Sequence, residues 1–305
     1  MKAAMVKCFL RLCAHLPLVL IHGFGVLIGW GLTLIPGRLR NDTSINICLC
    51  FPDLTETRQR RLIRSSLIET GKTLLETSAL WLRPGSRALR LIRKIDGAEL
   101  VERALEQGKG VILATPHLGS WEAAGLYGAA AFHMTCLYRP LRIPEVEDLV
   151  RNARNRLGAS HVPATVPGIR ALYRTLRQGG TVAVLPDQEP QTNAGMFAPF
   201  FGIPAWSMVL LVRLSHRSGA PVVFAWCERL ACGRGYHLHF CAAPEELYSR
   251  DTGTAVTAMN RMIEQLIRQC PTQYQWGYRR FRTRPAGEED CYDRGHPLLA
   301  AQRLP

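Results

Sequence analysis

The stretch Val111-Ile-Leu-Ala-Thr-Pro-His117-Leu-Gly-Ser-Trp-Glu122 decides how this chain is read. Four apolar residues in a row fit a strand buried on both faces, and Thr-Pro closes it. His117 then falls just past the strand end, with Ser120 at an N-cap position and Glu122 in the first turn of a helix. Five residues on an ideal helix rotate the chain by about 500°, so imidazole and carboxylate can meet only if His117 lies in the turn ahead of the helix. A carboxylate near an imidazole fixes its tautomer and stabilises the imidazolium, as a general base acting on a hydroxyl requires. The spacing alone fits a turn histidine and an ordinary first-turn glutamate equally well.

Further apolar runs follow at Met134 to Leu137, Thr181 to Leu185, Pro221 to Trp226 and Tyr236 to Cys241. Helical periodicity at 121–131, 146–157, 168–178, 206–218 and 254–268 lies between or after them, and two earlier helices are expected at 58–82 and 98–107. Buried strands interleaved with helices predict an α/β fold, a mainly parallel central sheet flanked by helices, with its site beyond the carboxyl ends of the strands. No repeat or low-complexity linker divides residues 41–305, which are expected to form one catalytic domain.

The chain of 305 residues is strongly basic, with 38 Lys+Arg against 24 Asp+Glu. Such a balance favours an acidic partner: nucleic acid, anionic membrane, acidic carrier or acidic substrate. Ten cysteines without a C-x-x-C pair are expected to be reduced thiols of a cytosolic compartment, and no metal is expected. From Leu12 through Gly37 there is no charged side chain, between Lys2, Lys7 and Arg11 on one side and Arg38 and Arg40 on the other. Residues 1–40 are therefore expected to be an N-terminal membrane-associated helix with its flanks, spanning, kinked or re-entrant. A buried helix and a signal peptide are the weaker readings.

Asp187, Gln188 and Glu189 follow a buried strand and are expected in the same crevice as His117, orienting an acceptor or an arginine. Phe197, Phe200 and Phe201 lie in a run too apolar for a solvated loop, suited to an acyl channel, to the bilayer surface or to plain core packing. The C-terminal Arg279, Arg280, Arg282 and Arg284 alternate with Trp276, Tyr278 and Phe281 and suit a phosphorylated headgroup at a membrane surface. The same mixture could stack on nucleic acid bases, a reading the apolar N-terminus and the H-x4-E block disfavour.

Taken in order, several blocks resemble the bacterial lipid A biosynthesis acyltransferases, the late lauroyl/myristoyl transferases within the wider glycerolipid acyltransferase group. They are His117-Leu-Gly-Ser-Trp-Glu122, Tyr138-Arg139-Pro140, Arg154-Asn-Arg156-Leu-Gly158, Leu185-Pro-Asp187-Gln188-Glu189, Pro199-Phe-Phe-Gly202 and Tyr274 to Pro285. Leu118 and Ser120 stand where the family more usually has an aromatic and an amide. The resemblance implies that His117 and Glu122 are the catalytic pair. His117 would deprotonate a glycolipid hydroxyl that attacks the thioester of an acyl carrier protein, with a coenzyme A thioester as the other donor. It also implies that Arg154 or Arg156 matches the family's essential arginine, gripping a phosphate or the oxyanion, with Arg139 a second candidate for an acidic headgroup. No cofactor is implied beyond the phosphopantetheine of the co-substrate. The expected partners are the carrier, an anionic lipid acceptor and the membrane surface, without nucleic acid, at the bacterial inner membrane with the catalytic domain facing the cytoplasm. The same chemistry on a glycerophospholipid, an amino-acid lipid or an aryl lipid is the alternative. A lipid hydrolase is disfavoured because the chain has no G-x-S-x-G, and a non-catalytic membrane-binding protein would tolerate loss of His117.

Overall fold

A computed structural model describes residues 2–138, 144–190 and 194–293. The strands are β1 (Ile92–Asp96), β2 (Val111–Ala114), β3 (Thr135–Tyr138), β4 (Ser160–Pro163), β5 (Thr181–Val184), β6 (Gly195–Phe200), β7 (Ile203–Met208), β8 (Val222–Arg229) and β9 (Tyr236–Ala242). The helices are α1 (Lys2–His15), α2 (Leu18–Leu34), α3 (Arg38–Cys50), α4 (Glu56–Leu82), α5 (Gly85–Leu89), α6 (Glu99–Glu106), α7 (Trp121–Phe132), α8 (Pro144–Asn155), α9 (Val166–Arg177), α10 (Leu210–Ser218) and α11 (Thr252–Gln269).

Seven strands form one sheet in the order β1-β9-β8-β2-β5-β3-β4. The five from β8 to β4 run parallel, β9 is antiparallel to β8, and β1 follows β9. The buried runs of β2 and β5 lie side by side at the centre, Val111 opposite Thr181 and Ala114 opposite Val184, and every residue of both is buried. The expectation of a mixed α/β fold with a mainly parallel sheet is met.

Two compact units divide the chain. The first draws on residues 1–23, 73–185 and 213–243 and holds the seven-stranded sheet; the second draws on 24–72, 186–212 and 244–305. In the first, Leu75, Ala79, Leu113, Ala123, Val223 and Tyr236 belong to one continuous buried core. In the second, β6 and β7 form a hairpin beside α11, and Phe200, Trp276, Phe281, Ile45, Ile47 and Ile63 are almost completely buried. The hairpin turns on Phe201 and Gly202, both at positive φ (51° and 78°), as a tight two-residue turn requires.

No single helix among the described residues is long and apolar enough to cross a membrane. α2 and α3 pass together by length and composition, but they meet at a bend of 83°. α3 is a packed helix of the second unit, with Asp42, Thr43, Ser44 and Asn46 buried. Asp42 accepts from Arg279 Nε at 2.9 Å, and Asn46 donates to the Trp276 and Tyr278 carbonyls. Such polar pairing belongs in a protein interior. α2 differs: its Gly25 and Gly29 meet the backbone of Gly71, Lys72 and Ile68 in α4 with no room for a Cβ, while Phe24, Leu27, Trp30 and Leu34 are exposed. None of the ten cysteines is joined in a disulfide.

Candidate active site

The sequence forces the chain to turn sharply after β2. Leu118 and Gly119 are buried, Gly119 has φ +66°, and a Cβ there would run into the Cys227 carbonyl. The Ser120 N–H donates to that carbonyl at 2.7 Å, and Gly119 bridges Cys227 in parallel fashion. The turn is thereby fastened to β8, and α7 starts at Trp121 with Ser120 as N-cap. Ser120 makes no capping hydrogen bond, and its buried Oγ has no hydrogen-bond partner. The expected geometry is met: His117 lies in the turn, half-buried, with its ring 5.2 Å from Trp121 edge to face, and Glu122 lies in the first helical turn.

The Glu122 carboxylate is almost enclosed and fully occupied. Arg154 reaches it from the last turn of α8 with two nitrogens, Nη2 on Oε1 and Nε on Oε2 at 3.2 Å. Trp81 Nε1, from the end of α4, donates to Oε2 at 2.9 Å. Burial alone would push the Glu122 carboxyl up, but the Arg154 charge and hydrogen bonds, with that of Trp81, hold it below the ordinary carboxylate range. The carboxylate is thus an anion at neutral pH.

Arg156, two residues on, serves differently. Its guanidinium donates to the carbonyls of Leu80, Trp81 and Arg83, closing the carboxyl end of α4, where helical carbonyls lack partners of their own. The two arginines therefore hold the two ends of one arrangement: Arg156 fixes the turn of α4 that carries Trp81, and Arg154 and Trp81 together fix Glu122. Arg139 lies outside the described residues.

Beneath the His117 turn lies a buried polar cluster. Glu76 accepts from Arg229 Nε and Nη2, both at 2.7 Å, from the Tyr236 hydroxyl at 3.1 Å, and lies 3.0 Å from His22 Nε2. Arg229 Nη2 also points at the Gly119 carbonyl, at a long 3.5 Å, and donates to Thr73 Oγ1. Burial raises the Glu76 carboxyl, but Arg229 and His22 outweigh it and hold its pKa at about 2. Neither Trp81 nor the Glu76–Arg229 pair was legible in the sequence, because their partners come from chain segments far apart.

The remaining candidates belong to the second unit, where they are occupied by protein partners. Asp187 is buried and hydrogen-bonded to the Tyr274 hydroxyl. Gln188 donates to Gln275 Oε1, and Glu189 accepts from Thr283 N, Thr283 Oγ1 and Arg282. Residues 187–189 thus clasp the 274–283 segment. Phe200 is wholly buried against Phe201 and Phe281, Phe201 packs on Phe51 and Trp276, and Phe197 is partly exposed beside Trp206. The arginines expected to face a lipid headgroup all have protein partners. Arg279 pairs with Asp42, Arg280 is buried on Trp206 O and Ser207, Arg282 reaches Glu189, and Arg284 bonds Pro204 O and Glu288. These guanidiniums hold the C-terminal segment in place.

A histidine on a pinned turn past a central parallel strand, with an enclosed, ionised carboxylate five residues later, marks an α/β protein with its candidate site at a strand end. The chain matches the family described as bacterial lipid A biosynthesis acyltransferase over residues 2–283, and it belongs to that family. It is 31% identical over 249 residues to the Escherichia coli K12 lipid A biosynthesis palmitoleoyltransferase, covering 81% of this chain and 80% of that one. It is 28% identical over 292 residues to the E. coli lauroyltransferase, covering 93% and 92%, and 25% identical over 267 residues to the E. coli myristoyltransferase, covering 85% and 81%.

Proposed function

We propose that this protein transfers a fatty acyl chain from an acyl thioester, acyl carrier protein being the favoured carrier, to a hydroxyl of a lipid A precursor. The observation that carries the reading is the enclosed Glu122 anion, held by Arg154 and Trp81 five residues after a histidine on a turn pinned to β8. In the proposed reaction His117 takes the proton of the acceptor hydroxyl as its oxygen attacks the thioester carbon. The negative charge of Glu122 favours the imidazolium that forms. The tetrahedral oxyanion then collapses, the C–S bond breaks, and the imidazolium returns its proton to the departing thiolate. A pantetheine thiolate is a good leaving group, so no covalent acyl-enzyme and no resident cofactor are required; positioning of the two substrates carries most of the rate. Arg154 is a positioning residue here, since its fork is spent on Glu122.

The protein works at the bacterial inner membrane in this reading, with the catalytic unit facing the cytoplasm where the carrier is found. The support is α2, whose exposed Phe24, Leu27, Trp30 and Leu34 suit a helix lying in the membrane surface. The test is mass spectrometry of products when the purified protein meets acyl carrier protein and coenzyme A thioesters with a panel of lipid acceptors. Acylated lipid A precursor is expected, formed faster from the carrier thioester. His117→Ala and Glu122→Gln are each expected to lower kcat by about 100-fold or more while the protein stays folded. Release of free fatty acid without acceptor, or full turnover by His117→Ala, would overturn the proposal.

A further inference from the structure

At the outer edge of the sheet, away from His117 in sequence, four side chains with ligand chemistry converge from β1, β9 and β8. His237 and His239 alternate along β9, so both project from one face of the sheet. Asp96, the last residue of β1, is the register partner of His239, and Glu228 of β8 is the partner of His237. The two imidazole centroids are 3.7 Å apart. His237 Nε2 lies 2.7 Å from Asp96 Oδ2, and His239 Nε2 lies 3.6 Å from Glu228 Oε2. One ligand atom each of Asp96, His237 and His239 falls within 4.8 Å of the others.

Two further observations single this cluster out from an ordinary surface network. His239 Nε2 is buried, with nothing closer to satisfy it than the Glu228 carboxylate at 3.6 Å, and its ring is held flat against Trp226 at 4.4 Å and 11°. Lys94 Nζ sits on Asp96 Oδ2 at 2.8 Å, a cation already drawn to the same carboxylate and exposed enough to swing away.

We propose that Asp96, His237 and His239, with Glu228 as fourth ligand, form a binding site for one divalent transition-metal ion, zinc by its ligand chemistry. Two imidazoles and two carboxylates match the nitrogen and oxygen ligands of tetrahedral zinc at about 2.0–2.2 Å, and the two carboxylates balance its charge. The cluster contains no hydroxyl or thiol nucleophile, and its ligands come from three adjacent strands. The ion staples edge strand β1 to β9 and β8. The sequence concealed the set because the expectation of no metal rested on cysteine and histidine spacing along the chain, whereas Asp96 and His237 are 141 residues apart.

Cobalt titration of the full-length, chelator-treated protein in detergent tests the site. The wild type is expected to take up one Co2+ with the intense visible bands of a four-coordinate nitrogen and oxygen site and without a thiolate charge-transfer band. Added Zn2+ should bleach those bands and raise the thermal midpoint. His237→Asn and His239→Asn should each abolish the bands, and Asp96→Asn, at an exposed edge where folding is not at stake, should weaken binding by about tenfold or more. A colourless octahedral spectrum, a thiolate band, or visible bands that persist in all three variants would overturn the proposal. Thermal melts of the metal-free variants should match the wild type, which separates a lost ligand from a lost fold.

Discussion

Arg154 and Arg156 are two residues apart and carry the same charge, yet their surroundings give them separable roles. Arg154 grips a carboxylate from two sides, and a lysine ammonium cannot reproduce that fork. Arg154→Lys is expected to lower kcat by about 10-fold or more with little change in thermal midpoint, since Glu122 loses its orientation while the charge remains. Arg156→Lys is expected to do the reverse, lowering the midpoint because three carbonyls at the end of α4 lose donors, at about 1 kcal/mol for each bond lost. Kinetics and melting curves on the two purified variants, with Arg58→Lys as control, check the division. Sequence spacing placed His117 in the turn and Glu122 in the helix, because a strand, a proline and an N-cap residue are local signals. It could not tell Arg154 from Arg156, because what separates them is Trp81 and the end of α4, brought in from more than seventy residues away.

At the scale of elements, legibility followed burial. β2 and β5 are buried on both faces and were foreseen within a residue, and β8 was foreseen except for its last three residues, where Glu228 and Arg229 end the apolar run, whereas β1 and β4, polar and largely exposed, offered no run to notice. The β6–β7 hairpin was hidden differently: Pro199 pairs with Pro204 inside it and Phe201-Gly202 makes its turn, and prolines within a run argue against reading it as a strand. Helix α2 was foreseen as apolar but not as one-sided. Its packed face depends on Gly25, Gly29 and Gly71, where helix backbones touch, while Gly31 has nothing near the place of a Cβ. Gly71→Ala is expected to destabilise the protein by about 1–3 kcal/mol through overpacking. Gly31→Ala should leave it unchanged or stabilise it by up to about 1 kcal/mol through helix propensity. Denaturant melts of both variants test this. Phe24→Ser with Leu27→Ser should shift the protein from vesicles toward solution, whereas serine at the buried Ile21 should instead reduce folded yield.

Across the whole molecule, acid stability is expected to centre on Glu76. Its folded pKa of about 2 lies below the usual carboxylate value, so its pairing contributes fully above about pH 4.5 and is lost as pH falls toward 2. Unfolding free energy should therefore decline over that window, and Glu76→Gln should flatten the decline. The variant should also be less stable at neutral pH by about 3–5 kcal/mol, because Arg229 is left buried with half its partners gone. Denaturant titrations between pH 2.5 and 7 read both effects. A flat wild-type profile would show that the pair contributes nothing net.

The seat of the His117 turn has a consequence for how the enzyme comes into being. Arg229, whose guanidinium faces the Gly119 carbonyl, follows that glycine by 110 residues. At roughly 5–20 residues per second on the ribosome, several seconds separate synthesis of the histidine from synthesis of the strand that holds it. A nascent or prematurely ended chain that stops short of β8 carries the whole H-x4-E block without its support. On the proposed mechanism such fragments are expected to be inert, activity appearing only once β8 is made.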